Sequence, residues 1–464
     1  MKTKNLSAQT KDRGALQDFF ERRSVFVALL LLLFLFRLGF GLCENFWGDD
    51  EKQIYLIGLK FFTTGHWPYF GPDVDVENLQ RAGLPFVQIP GALQGLLVGL
   101  PFFVFPFAEA PILFLNLLSF LSLCLLAWYC TRRLPQMPRW FIWVWLMTAP
   151  WTLNFSTHVN NLSYVLVGSV LFFVGALETY PSLSKKLIPV RWANFMMGAA
   201  LLWIMQLHLS WIILLPYIIA SFYFQFREDG GKAFGRATLW FALGGMIVGS
   251  FLLPTYLKYG LTGGMGRTGS MVSFSADNLQ SGLNPAEGIL PRFLSFASFE
   301  MARFIGGHTV ERLAFLRQHW WVIPFALFAG LVGILQPVGM LVLWFFQKRG
   351  QTDWRSIKYL TLLTVCLLYL SFMFSKKGPT SHTFYVLLPL AMIYGFYCWN
   401  NLLQKRRWQV FAAIFLACGM IFNVALALNH YRTHSLYVNR SLPQSAIDGR
   451  NYSILGERRS GAFY

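Results

Sequence analysis

Apolar runs bounded by Pro, Gly or charged residues recur along the whole chain. Stretches long enough to cross ~30 Å of hydrocarbon, about 20 helical residues each, fall near 24–43, 84–107, 110–131, 140–156, 162–179, 192–207, 209–226, 237–257, 320–346, 358–374, 383–400 and 408–428. Basic clusters punctuate them at Lys2 to Arg23, Arg132/Arg133/Arg139, Lys185/Lys186/Arg191, Arg227/Lys232/Arg236, Lys348/Arg349/Arg355/Lys358 and Lys405/Arg406/Arg407. Short loops this rich in Lys and Arg belong in the cytoplasm. From Arg139 onward, two apolar stretches separate each cluster from the next, so these clusters share one side. Between the N-terminal cluster and Arg132 there are three, so one of those three does not cross. The segment 84–107 holds Pro85, Pro90, Pro101 and Pro106 with Gly83, Gly91, Gly95 and Gly99. Prolines break the backbone ladder, and broken helices at membrane depth need protein or a cavity beside them. That segment is therefore expected to be a juxtamembrane or re-entrant helix on the outer side. The chain reads as an all-α polytopic membrane protein of about eleven spans, with the N-terminus inside and the C-terminus outside.

Composition agrees. Of 464 residues, 55% are hydrophobic, 17% aromatic and 13% charged, where soluble domains carry roughly 25% charged residues. A multidomain soluble enzyme is excluded. The run after Arg23 lacks a small-residue cleavage site near its end, so it reads as a retained first span and not a signal peptide. The net charge of +18 would suggest nucleic acid in a soluble protein. On the expected topology, however, the inner side carries 22 Lys/Arg and 7 Asp/Glu and the outer side 16 and 14, with Arg37 inside the first span. The excess sets orientation, and no nucleic-acid partner is implied. The six cysteines form no CxxC pair and read as core or lipid-facing residues.

The expected organisation is a basic cytoplasmic N-terminus (1–23), a transmembrane module (24–429) with outer loops at 44–109 and 258–319, and an outer tail (430–464). That tail is too short for a core of its own and is expected to pack over the site. Every inner loop is short, so chemistry faces outward. Seven of the fourteen outer acids fall between Glu44 and Glu77, three of them consecutive as Asp49-Asp50-Glu51. Asp49 is a good N-cap, Gly65 a good stop, and Ile54, Tyr55, Leu59 and Phe62 recur on one face between them. The pattern predicts an amphipathic interfacial helix of about four turns. One acid would suffice to complement the helix dipole. Three adjacent carboxylates beside a headgroup layer repel one another, which makes a cation site or a proton-abstracting site the alternative.

The order of elements resembles a family. A first span, an Asp-Asp-Glu just outside it, a helix with Ile54-Tyr55-Leu56-Ile57-Gly58-Leu59 and a Thr-Gly-His-Trp-Pro turn resemble the start of GT-C membrane glycosyltransferases. Within that superfold the chain is most similar to dolichyl-phosphate-mannose protein mannosyltransferases and the bacterial lipid A aminoarabinose transferase. The resemblance continues through the Pro-led helix from Pro90, Arg132-Arg133-Leu134, Thr148-Ala149-Pro150, Phe374-Ser375-Lys376-Lys377 and His382-Thr383-Phe384-Tyr385-Val386-Leu387-Leu388-Pro389. It covers about residues 24–400 through short motifs.

This resemblance implies transfer of a sugar from a polyprenyl-phosphate donor to an acceptor hydroxyl on the outer face, with inversion. A carboxylate of the first loop would act as general base or hold a divalent metal at the donor phosphate. Asp50 is the first choice for the base, Asp49 second, with Glu51 beside them; Asp49 and Asp50 are also the candidate metal ligands. Arg81, Lys376, Lys377 and His382 are candidate cations for the phosphate, the plain alternative for the two lysines being snorkelling at a helix end. Substrate-side positions are Tyr55, His158, Asn160 and Asn161. Two departures stand out. Many relatives have Lys-Pro-Pro where this chain has Gln88-Ile89-Pro90, so that phosphate contact is lost or taken over by Arg81. His158-Val159-Asn160-Asn161 stands where the family often places an Asp, which leaves metal dependence in doubt. The membrane lipid, the lipid-linked donor and a glycan, lipid or protein acceptor are the expected partners, in a bacterial inner (plasma) membrane.

Other signals carry less. His208 reads as a satisfied core histidine ahead of a substrate contact. Arg37 is open between function, outward snorkelling and pairing with an acid such as Glu44. The glycine-rich 263–270 lacks a Walker lysine and reads as a flexible loop ahead of one that closes over substrate. HExxH and GxSxG are absent. A transporter or flippase of a lipid-linked sugar is the alternative from another class, although the spans carry little mid-membrane charge and show no paired halves.

Overall fold

The computed structural model describes residues 19–20, 22–43, 49–74, 87–181, 183, 185–260, 274–285, 288–300, 309–347, 352–375, 378, 380–434 and 440–455. The fold is all-α and polytopic, with a two-stranded ribbon as the β structure among the described residues. Helix α1 (Arg23–Cys43) is about 31 Å long. It turns Val27, Leu31, Leu32 and Leu35 outward and buries Leu33, Arg37, Phe40 and Gly41, a helical stripe facing the bundle.

Helix α2 (Asp49–Thr64) follows. Gly65 ends it at φ 70°, where its N–H donates to Phe61 O at 2.9 Å, a left-handed stop that a side chain would strain. Ile54, Tyr55, Leu59 and Phe62 form its buried face, as the sequence pattern predicts. Strands β1 (Phe70–Val74) and β2 (Val87–Pro90) pair antiparallel, with Phe70 opposite Pro90 and Asp73 opposite Gln88. Helix α3 (Leu93–Val104) packs on α2, Phe102 meeting Tyr55 at 5.4 Å and Phe62 at 5.5 Å between ring centres. Its 12 residues rise about 18 Å, too little to cross the hydrocarbon.

Next come α4 (Ala110–Arg133), α5 (Arg139–Thr148), α6 (Pro150–Ser156), α7 (Val165–Thr179), α8 (Val190–Met205), a 3-10 turn at Leu209–Leu214 and α9 (Leu215–Gly249). Helix α9 breaks at Gly230 (φ 74°) and folds back, so that Phe222 touches Phe234 and Phe241. Then follow α10 (Leu253–Tyr259), α11 (Ala276–Gly282), α12 (Ile289–Ala297), α13 (Thr309–Gln318), α14 (Ile323–Phe346) and α15 (Thr352–Met373). A 3-10 turn at Ser381–Leu387, α16 (Leu388–Leu402), α17 (Arg406–His434) and α18 (Ser441–Asp448) complete the chain. Among the described residues six helical runs are long and apolar enough to cross a membrane, and Leu93–Val104, Val165–Thr179 and Val190–Met205 are shorter apolar helices. Length alone finds fewer spans than the sequence pattern because Leu209–Tyr259 contains a hairpin. The stretches at 140–156 and 383–400 are also each split into two pieces.

Arg132, Arg133, Arg139, Lys185 and Lys186 meet at one end of the bundle. Phe20 touches Trp140 and Phe26 touches Trp143, the Arg139 guanidinium lies 4.7 Å from the centre of the Phe26 ring, and Gln404 pairs with Gln136 at 2.9 Å. Arg133 pairs with the buried Glu178, whose other oxygen accepts from Leu187 N at 2.7 Å. At the opposite end stand the start of α2, the corner at Phe107–Ala110, the loop after α6 and the C-terminal tail. The tail is bound there: Arg440 Nε donates to Glu109 at 2.5 Å, and Gln444 bridges Ala108 N and Pro106 O. Ala446, Ile447 and Leu455 are buried, and the Arg450 guanidinium lies 5.7 Å from the centre of the Phe62 ring. The C-terminal tail thus packs on α2, the helix that begins with the acids.

Candidate functional site

Asp49 and Asp50 open α2, immediately beyond the end of α1, and Glu51 is half-buried in the same turn. Negative residues suit a helix N-terminus, since four backbone N–H groups there lack helical partners. What fixes this turn in place is the opposite face of α2. The Tyr55 hydroxyl donates to Ala108 O at 3.0 Å, which ties α2 to the corner that the tail also grips. Burial, with Glu109 second, pushes the Tyr55 phenol well above its ordinary value, so it stays a neutral donor. Tyr55 is 1% exposed and is thus placed as a support for the helix.

The loop after α6 lies beside the end of α1. A side chain at Gly41 would place its Cβ 2.1 Å from Thr157 O, so the backbones are in direct contact. In this loop His158 Nε2 and Asn160 Nδ2 are 3.2 Å apart, and Asn160 Oδ1 accepts from Leu162 N at 2.8 Å, an Asx turn. Gln94 of α3 reaches Asn160 O at 3.5 Å. Asn160 and His158 are therefore brought together with the α3 face, at the end where α2 starts.

Amide side chains cluster here, Gln88 among them. Gln88 is 5% exposed, with neither amide atom hydrogen-bonded, and Gln94 Oε1 and Gln206 Oε1 are likewise buried without a partner. Gly91 sits against Gln206, where a Cβ would come within 2.6 Å. Such unspent donors and acceptors are what recognition of a polyhydroxyl group requires. The signal in the sequence was the Gln88, Gln94, Gln206 set inside otherwise apolar segments.

On the other flank, His382 is exposed, with Nε2 3.3 Å from Thr380 Oγ1 in the cap of the turn at 381–387. Arg292 of α12, which sequence reasoning passed over, donates to Ser381 Oγ at 3.2 Å and brings a guanidinium beside His382. Arg81, Lys376, Lys377 and the glycine-rich 263–270 lie outside the described residues. Close to this flank, an open cleft of about 500 Å³ is lined by Asp277, Gln280, Ser281 and Asn284. His208 is half-buried and caps its own 3-10 turn, its Nδ1 accepting from Ser210 N at 3.1 Å. Among the described residues no three His, Cys, Asp or Glu side chains gather in a way that could hold a metal ion.

Between the flanks lies a membrane-buried helix break. Pro150 has no N–H to give, so the carbonyls preceding it need other donors. The Thr152 hydroxyl serves Leu146 O at 2.7 Å, Arg37 serves Met147 O at 3.1 Å and Asn423 serves Thr148 O at 3.0 Å. Arg37, fully buried, also donates to Thr152 O at 3.2 Å, Ser119 Oγ at 3.3 Å and Ser156 Oγ at 2.9 Å. It points inward and does not snorkel to the surface, while Glu44, its other expected partner, lies outside the described residues. The Tyr385 hydroxyl donates to Trp151 O at 3.1 Å.

With this geometry in view, the chain can be set beside known proteins. Among solved structures it is similar to ArnT from Cupriavidus metallidurans, in its crystal structure bound to undecaprenyl phosphate. The identity is 12% and the TM-score 0.48, over 92% of this chain and 77% of that one. No protein-family model and no curated protein matches the chain.

Proposed function

We propose that the chain is an integral-membrane glycosyltransferase that moves a sugar from a polyprenyl-phosphate donor to an acceptor hydroxyl at the outer membrane face. The observation that carries this reading is the acidic first turn of α2. That turn opens a helix directly after the first span, in a chain that also buries unpaired amide atoms of Gln88, Gln94 and Gln206 and sets Arg292 on the turn that carries His382. The sequence resemblance to GT-C enzymes points the same way.

In this reading the donor's prenyl tail stays in lipid and its sugar rests on Gln88, Gln94 and the Asn160–Asn161 turn, whose amides read hydroxyl groups. Asp50, with Asp49 as the second choice and Glu51 beside them, takes the proton of the acceptor hydroxyl. The acceptor oxygen forms a bond to the anomeric carbon as the bond to the phosphate oxygen breaks on the opposite face, which inverts that centre. The electron pair leaves on the polyprenyl phosphate. Arg292 and His382, together with Lys376, Lys377 and Arg81, stabilise the charge that develops there. The orientation follows from the basic end facing the cytoplasm, as in a bacterial inner membrane.

The test is Asp50→Asn, alone and with Asp49→Asn, in membranes supplied with polyprenyl-phosphate-linked sugars. Mass spectrometry follows release of free polyprenyl phosphate. The wild type should consume the donor, and the double variant should fold and insert but lose turnover by at least ~100-fold, the scale of a general base. Full turnover in the double variant would overturn the mechanism. Movement of intact lipid-linked sugar across vesicles without product would favour a flippase instead.

A further inference from the structure

At the basic end of the bundle, α4, α5, the loop before α8 and α15 enclose a cavity of about 850 Å³. Arg132, Arg133, Arg139, Lys185 and Lys186 line it, and its one lining acid is Asp353. Some of that charge is already spent. Arg133 pairs with Glu178, whose second oxygen also accepts from Leu187 N and Ile188 N, so the buried carboxylate is fully used. Lys186 donates to Tyr180 O at 2.6 Å, and Arg139 lies over Phe26. Arg132 and Lys185 are exposed and have no partner among the described residues.

Orientation in the membrane explains why basic residues face this side, and the exposed Lys405, Arg406 and Arg407 satisfy that need. It does not explain why five cations converge on one concavity, where they repel one another unless an anion sits between them. The depth profile indicates which anion. Trp128 lies one helical turn from Arg132, about 6 Å deeper into the membrane, and Trp143 stands in the same relation to Arg139. The cavity thus offers positive charge at headgroup level and indole surface at the level of the first acyl carbons. A soluble anion would use the first and not the second. The donor site is no alternative source of this chemistry, since it lies at the far end of α4, about 36 Å away.

We propose that this cavity binds the phosphate of an anionic phospholipid of the facing leaflet, with Arg132 and Lys185 as the free cations and Trp128 and Trp143 flanking the acyl chains. The occupant is independent of the sugar-transfer reading.

The experiment titrates phosphatidylglycerol into the full-length detergent-solubilised protein and counts bound lipid by native mass spectrometry. The double variant Arg132→Gln, Lys185→Gln removes the two cations that have no partner among the described residues, so folding should persist, as an unchanged melting temperature would verify. Its phosphatidylglycerol affinity should fall about 30-fold, at the usual contribution per basic residue at a membrane surface. Lys405→Gln with Arg407→Gln, on the same face and outside the cavity lining, should leave affinity unchanged. Equal binding by wild type and the cavity variant, or an equal loss in the control, would overturn the proposal. Displacement of the lipid by inorganic phosphate at matching potency would assign the cavity to a soluble anion and overturn it as well.

Discussion

Arg37 provides a sharp test of how the outer half of the bundle is held. Its guanidinium donates to Met147 O, Thr152 O, Ser119 Oγ and Ser156 Oγ, all within 3.3 Å, and no carboxylate contributes to this set. Arg37→Met keeps an unbranched apolar stem and removes every donor. Thr152 O keeps the Ser156 hydroxyl at 2.5 Å, and Ser119 Oγ still bonds Asn116 O at 3.2 Å, so those acceptors are partly covered. Met147 O loses its donor in a fully buried break. Hydrogen bonds between membrane helices average about 0.6 kcal/mol each, so the four contacts contribute roughly 2 kcal/mol. Leaving Met147 O without a donor adds about 1–2 kcal/mol. A net loss of about 3 kcal/mol follows, tempered by relief of the buried charge. Thermal unfolding in detergent should show Arg37→Met several degrees less stable, with Arg37→Lys between it and wild type. Asn423→Leu, which removes the donor to the neighbouring Thr148 O, should destabilise in the same direction. If Arg37→Met unfolds like wild type yet abolishes donor turnover, the structural reading fails and Arg37 acts on the substrate.

Three further outcomes follow from the outer end. Arg440→Ala with Gln444→Ala should release the tail from Glu109, Ala108 and Pro106; proteolysis near residue 440 should then accelerate and donor turnover fall several-fold, because α2 loses a clamp. Gly41→Val should misplace the loop at 157–161, since even a Cβ would fall 2.1 Å from Thr157 O; loss of membrane-inserted protein or of turnover is the readout, and wild-type behaviour in both would refute the close approach. His66 has its pKa pulled below 6.5 by burial first and then by Lys60 and Lys258. The unfolded chain therefore binds this proton more readily, so the contribution is present above pH 6.5 and is lost as pH falls through the lowered value. His66→Gln should flatten that part of the stability–pH profile, read by thermal unfolding across the range.

Much of the scaffold was legible because lipid makes the rules strict. Each apolar stretch between basic clusters reappears as helix, and α2 runs from the three acids to Gly65 because a buried stripe at Ile54, Tyr55, Leu59 and Phe62 and a left-handed stop leave little choice. The Pro-rich segment 84–107, expected to be one juxtamembrane or re-entrant helix, instead holds a short strand and a helix of 12 residues. What the pattern hid are pairings over long separations. Periodicity cannot say that Arg37 turns toward residues 147–156, or that Arg440 finds Glu109. Arg292 was invisible for a related reason. Its neighbours in sequence are ordinary, and its interest comes from Ser381, 89 positions away. The glutamines were legible as polar interruptions, but only burial shows that Gln88 makes no hydrogen bond of its own.

The breaks at Ala149–Pro150, at Gln206–Ser210 and at Gly378–Leu387 do not merely coexist. Tyr385 donates to Trp151 O and its ring lies tilted to Phe155 at 5.3 Å, the turn at 209–214 packs against the turn at 381–387, and Arg292 joins that turn from α12. The outer part of the bundle is therefore assembled from short helical pieces whose ends point at one another. Regular spanning helices satisfy every backbone group internally and leave a ligand nothing to bind. Ending several of them together leaves carbonyls and N–H groups to be met by side chains, which Arg37, Thr152 and Asn423 do at the first break. Irregular, polar backbone is thereby gathered within the bundle, which is where the proposed transfer would need it. A stability cost at the breaks is then the expected accompaniment of a working site. Variants that re-form a continuous helix, such as Pro150→Ala, should raise the melting temperature while lowering donor turnover. A Pro150→Ala protein both less stable and fully active would show that the break is only an accident of packing.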